Sequence, residues 1–73
     1  MKVEFTDRLR QQVAIVLDCH DFKAEEREKI IIEWRQLLHD VPEDLYEGAP
    51  LGYIEVFATY LLSDMIARNW QGN

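Results

Sequence analysis

The sequence predicts an all-α domain: three helices in a bundle, with a short helical turn between the second and third. Three observations carry that reading. Apolar residues recur every three to four positions over three long stretches. Only five residues are glycine or proline, and three of them (Pro42, Gly48 and Pro50) fall in one connector. With 73 residues the chain is one domain, 1–73, and a chain this short buries only about 60 % of its extended surface. Stability must then come from efficient helix packing or from self-association, because Cys19 is the sole cysteine and no Cys/His spacing matches a structural zinc site.

The first helix is expected from about Asp7 to Cys19. Thr6 is suited to be its N-cap and Asp7 favours its first turn. Leu9, Val13, Val16, Leu17 and His20 form one face, onto which Phe5 can fold back, while Ile15 falls outside the stripe. The second helix is expected from Phe22 or Lys23 to His39, capped by Asp21, with Glu25 and Lys29 as a favourable i,i+4 pair. Its buried face reads as Ile30, Ile31, Trp34, Leu37, Leu38 and Val41, with Ile32 nearly opposite. Pro42 suits the start of a single helical turn that holds Leu45 or Tyr46 against the bundle, and Gly48 its end. The third helix, about Leu51 to Asn69, starts at Pro50. It carries one stripe of Ile54, Phe57, Ala58, Leu61 and Met65 and a second of Tyr53, Val56, Tyr60 and Ala67. The expected core is Leu9, Val13, Ile30, Trp34, Leu37, Ile54, Phe57 and Leu61 in an up-down-up arrangement.

Charge is the most specific feature. The formal net charge is −6, and no lysine or arginine stands between Arg35 and Arg68. That interval holds six carboxylates: Asp40, Glu43, Asp44, Glu47, Glu55 and Asp64. A field gathered in one stretch selects partners where an evenly spread one does not. It repels phosphate backbones and anionic lipid surfaces, which argues against direct nucleic-acid or membrane binding. A helix-turn-helix reading of the first two helices fails on the same ground, since the second begins with Glu25, Glu26 and Glu28. The longest apolar runs, such as Val13 to Leu17, fall far short of the roughly 20 residues that span a bilayer. The first residues lack the apolar stretch of a signal peptide. With one unpaired cysteine, the expectation is a cytoplasmic protein.

No motif names a reaction. Asp18, Cys19, His20 and Asp21 are adjacent, and neighbours on a helix point about 100° apart, so they do not converge on one ion. His20 and His39 read as residues that pack or cap helix C-termini, and Cys19 as an inert, half-buried thiol without a basic neighbour. Glu43, Asp44 and Glu47 lie on a connector exposed to water rather than in a cleft that would separate their pKa values. The calcium-loop pattern and the nucleotide-binding glycine loop are both missing. The reading is therefore no catalytic residue, no metal and no cofactor.

A binding surface is the better expectation. Tyr46 and Tyr53 offer aromatic area beside Asp40, Glu43, Asp44 and Glu47, which suits a basic protein surface. Around a three-helix core each helix needs only a limited apolar arc, so the stripe of Tyr53, Val56 and Tyr60 is surplus. The partner-binding candidates are thus Asp40, Glu43, Asp44, Tyr46, Glu47, Tyr53, Val56 and Tyr60. Two helices, an acidic turn with tyrosine and a last helix resemble the small acidic immunity proteins that neutralise nuclease bacteriocins. The resemblance rests on Asp44, Leu45 and Tyr46 and covers about half the chain. Glu47 and Gly48 stand where that family has a second tyrosine and a proline. It implies a small inhibitor that occludes a nucleic-acid site on a basic protein, and small acidic phage proteins that block nucleic-acid-handling enzymes look equally similar. The alternative is a structural homodimer through the third helix, with the acids serving solubility.

Overall fold

The computed structural model describes residues 3–70; the two residues before and the three after, the outer ends of the expected domain, lie outside the described residues. The order is α1 (Asp7–Asp18), α2 (Ala24–Asp40), a single 3-10 turn (Glu43–Leu45) and α3 (Leu51–Asn69). This is the expected all-α three-helix bundle. Thr6 caps α1 as expected, its hydroxyl accepting from the Leu9 N–H at 3.1 Å. The start of α2 differs: Lys23, not Asp21, is the N-cap, and its backbone N–H donates to the Glu26 carboxylate at 2.8 Å. Half of a capping box thus replaces the expected aspartate cap. Pro50 is the N-cap of α3 and not, as expected, its first helical residue, which is Leu51.

Chain direction follows from the pairs that meet. Arg8 and Thr6 reach Glu55, and Gln12 reaches Thr59, so α1 and α3 run the same way. Phe22, ahead of α2, meets Trp70 at the end of α3, so α2 runs the other way. α3 packs on both of the other helices, which accounts for its scarcity of charge.

The core comprises Leu9, Val13 and Leu17 from α1, Ile30, Trp34 and Leu38 from α2, and Ala58, Leu62, Met65 and Ile66 from α3. Leu9, Val13, Ile30 and Trp34 are where the periodicity places them. Four expected core residues are not. Leu37 is 37 % exposed and its neighbour Leu38 takes the buried position, while Ile54, Phe57 and Leu61 are only half-buried. The buried line of α3 is Glu55, Ala58, Leu62, Met65 and Ile66, turned by one residue from the expected stripe. Ala58, common to both lines, meets Trp34, whose indole N–H donates to the Ala58 carbonyl at 2.8 Å. A large ring reaches another helix's backbone only past a small side chain, so alanine must face inward there. The same indole takes the edge-to-face contact of Phe5, centroids 5.7 Å apart, with the Arg35 guanidinium 4.5 Å over the Phe5 ring.

Polar bonds fasten the helices at the middle and at the end of α3. Thr59 donates from its hydroxyl to the Gln12 side chain at 2.9 Å. At the far end, Glu33 accepts from the Asn69 amide at 3.1 Å and from the Trp70 indole at 2.9 Å. Among the described residues no buried side-chain nitrogen or oxygen lacks a hydrogen-bond partner, as a close-packed interior demands.

Candidate functional site

The six carboxylates of the base-free stretch divide into two groups. Glu55 is 1 % exposed and lies at the α1–α3 seam. One of its oxygens accepts from Arg8, including Nε at 2.8 Å, and the other from the Thr6 hydroxyl. The Arg8 guanidinium first, and then the Thr6 hydroxyl, hold the Glu55 carboxyl below the usual glutamate range, outweighing the opposing push of burial. Asp64 is paired with Arg68 one turn on, at 2.9 Å. These two carboxylates are spoken for.

The other four remain. Asp40, Glu43, Asp44 and Glu47 are all exposed, and among the described residues the arginine ion pairs go to Glu55, Asp18 and Asp64 instead. Asp40 accepts a long bond, 3.4 Å, from Gln36. Four negative charges within eight residues thus surround the 3-10 turn. The turn forms because Pro42 presets its start and Leu45, Tyr46 and Glu47 donate back to the Pro42 and Glu43 carbonyls. It ends at Gly48, whose φ of 79° is a left-handed conformation that glycine adopts without cost. Of the two apolar residues in the turn, Leu45 is 65 % exposed and Tyr46 is half-buried, so Tyr46 is the one turned toward the bundle.

From the connector the chain passes directly into α3. Tyr53, Val56 and Tyr60 share a face by their spacing of three and four residues, and they are 58 %, 62 % and 62 % exposed. A shallow depression lined by Gln12, Val56, Thr59, Tyr60 and Ser63 places the strip's edge along the α1 side. Seven of the eight expected partner-binding residues are therefore exposed, at the end of α2, on the connector and along α3 to Tyr60; Tyr46 is the partial exception. The strip also exposes its neighbour Leu51, at 44 %.

Sequence reasoning missed a second feature, a groove of ≈ 650 Å³ between α2 and the end of α3. Its apolar lining is Ile32, Leu37 and Met65, and Lys29, Asp40 and Arg68 stand among its polar residues. The signal was present in Leu37 and Leu38: two adjacent leucines on one helix cannot both face the same core.

His20 is half-buried and stacks on Phe22, centroids 5.1 Å apart. Cys19 is exposed, not half-buried as expected, because α1 ends at Asp18 and the chain turns there. Among the described residues no three His, Cys, Asp or Glu side chains come together as a metal site would need. No described helix is long and apolar enough to cross a membrane. No family model matches the chain, and no curated protein or solved structure is significantly similar to it.

Proposed function

We propose that the protein is a non-enzymatic binding module, a cytoplasmic inhibitor or immunity-type protein that docks its acidic connector on a basic protein surface and covers a nucleic-acid site there. One observation carries this reading: Asp40, Glu43, Asp44 and Glu47 stand exposed and, among the described residues, outside the arginine ion pairs, while the remaining carboxylates of that stretch are paired. Unneutralised charge clustered in one place repels itself, and a basic partner relieves that repulsion while the charge speeds the encounter. Tyr53, Val56 and Tyr60 supply the apolar area that gives such contacts their strength.

The homodimer reading draws on the same exposed strip. A stable interface buries about 800 Å² on each partner, whereas three side chains of this kind, a little over half exposed, offer a few hundred. Enlarging a two-fold contact toward the connector would bring like charges together across the axis. That favours the foreign, basic partner. The test is capture from the native cell extract at low and high salt. The reading expects basic proteins retained at low salt and released at high salt; capture indifferent to salt would contradict it.

A further inference from the structure

We infer that residues 3–6 form a strap that opens as one unit over Trp34 while the helices stay folded, with Glu55 as the latch that holds it shut. The inference does not depend on the proposed docking function. The chain enters α1 with Thr6 in an extended conformation. The backbone bonds of Thr6 are local: its N–H donates to the Glu4 carbonyl and its carbonyl accepts from the Arg10 N–H, both at 3.0 Å. Side chains anchor the segment to the other two helices. On the α2 side, Phe5 meets the Trp34 indole edge-on beneath the Arg35 guanidinium, and the half-buried Val3 and Phe5 pack against the core. On the α3 side, the Thr6 hydroxyl donates to the Glu55 carboxylate. The two anchors lie close together, since the Trp34 indole donates to the Ala58 carbonyl and Glu55 precedes Ala58 by about one helical turn.

Glu55 supplies the reason for the strap to stay closed. A carboxylate this deeply buried is tolerated only with hydrogen-bonded or charged partners. Its side-chain partners Thr6 and Arg8 lie at the strap's end and just beyond it. Lifting the strap takes the Thr6 hydroxyl away from a buried negative charge. It also uncaps α1, because the same hydroxyl accepts from the Leu9 N–H. At the other anchor, lifting withdraws Phe5 from Trp34, a fully buried side chain of the core. A short segment held by few side chains is where local opening costs least. Phe5 and Glu55 touch different residues: Trp34 and Arg35 for the one, Thr6 and Arg8 for the other. An effect of Phe5 on the α1 cap must therefore pass along the strap.

The test is native-state amide hydrogen exchange, read by NMR on the full chain in a series of low urea concentrations. The reporters are the amides of Leu9 and Arg10, which donate to Thr6, and the references are the amides of the core residues Trp34 and Leu62. In wild type, Leu9 and Arg10 are expected to exchange faster than the references and to respond weakly to urea, because strap opening exposes little surface. Glu55→Gln and, separately, Phe5→Ala should each speed Leu9 and Arg10 roughly tenfold at the same weak urea dependence. Phe5→Leu should act in the same direction with a smaller effect, and it replaces Phe5→Ala should that variant not fold. Leu9 and Arg10 exchanging in step with Trp34 and Leu62, with the same urea dependence, overturns the strap. Unchanged exchange at Leu9 and Arg10 in the Phe5 variants overturns its opening as one unit, leaving ordinary fraying of the helix end. Unchanged exchange there in Glu55→Gln overturns the latch.

Discussion

Arg8 and Glu55, 47 residues apart in the chain, form an ion pair that fastens the start of α1 to the first half of α3. Glu55 is fully buried while the Arg8 side chain is 62 % exposed, so one partner has given up water and the other has not. Removing Glu55 leaves arginine free to be solvated; removing Arg8 strands a buried carboxylate. The expected result is an asymmetry: Arg8→Met lowers the thermal midpoint more than Glu55→Gln does, and the two effects are not additive. Thermal melts of the single and double variants measure both.

The same pair sets a pH dependence. The folded-state pKa of Glu55 lies below its unfolded value, so the stabilisation is present above the unfolded value, about 4.3, and fades as pH falls through the folded one. Urea unfolding below about pH 4.3 should show wild type losing stability faster than Glu55→Gln. Parallel losses would mean that other carboxylates set the acid limb.

Trp34 is the second seam. Trp34→Phe removes the indole N–H that reaches the Ala58 carbonyl and some of the ring, at a cost of about 2 kcal/mol. In a domain this small that is a large share of total stability, visible as a shifted urea midpoint at unchanged slope. Ala58→Leu tests the close approach from the other side and should be at least as harmful, since the added bulk faces a fully buried position.

These two seams also mark the limits of what the sequence made legible. Helix positions were readable to within a residue or two, because the connector gathers the breakers and Thr6 signals the first cap. α1 and, Leu37 apart, α2 were readable because polar residues flank one apolar stripe. α3 was not. It is apolar around most of its circumference, so periodicity favoured the bulky Ile54, Phe57 and Leu61 beside Ala58 and Met65 over a line that buries Glu55, Leu62 and Ile66 with them. The contact that distinguishes the observed line is long-range: Arg8 and Thr6 reach the buried Glu55. The same pairing withdraws Glu55 from the acidic face, a distinction that charge counting along the chain does not make.

The exposed strip on α3 separates a partner-binding protein from a dimer. Sedimentation at micromolar concentration should give a monomer for the wild type, with Tyr60→Glu unchanged in mass and within about 0.5 kcal/mol in stability, as befits a side chain that is 62 % exposed. A wild-type dimer converted to monomer by that substitution would assign the strip to self-association.

The central claim is that the four exposed carboxylates around the 3-10 turn select a basic partner. Glu43→Lys with Asp44→Lys tests it most directly, since both side chains are exposed and neither forms an arginine ion pair. The doubly substituted protein and the wild type are compared for capture from native extract across a salt series. The account predicts that the variant melts like wild type but no longer retains the low-salt basic proteins. An unchanged captured set, with the same salt dependence, would contradict it.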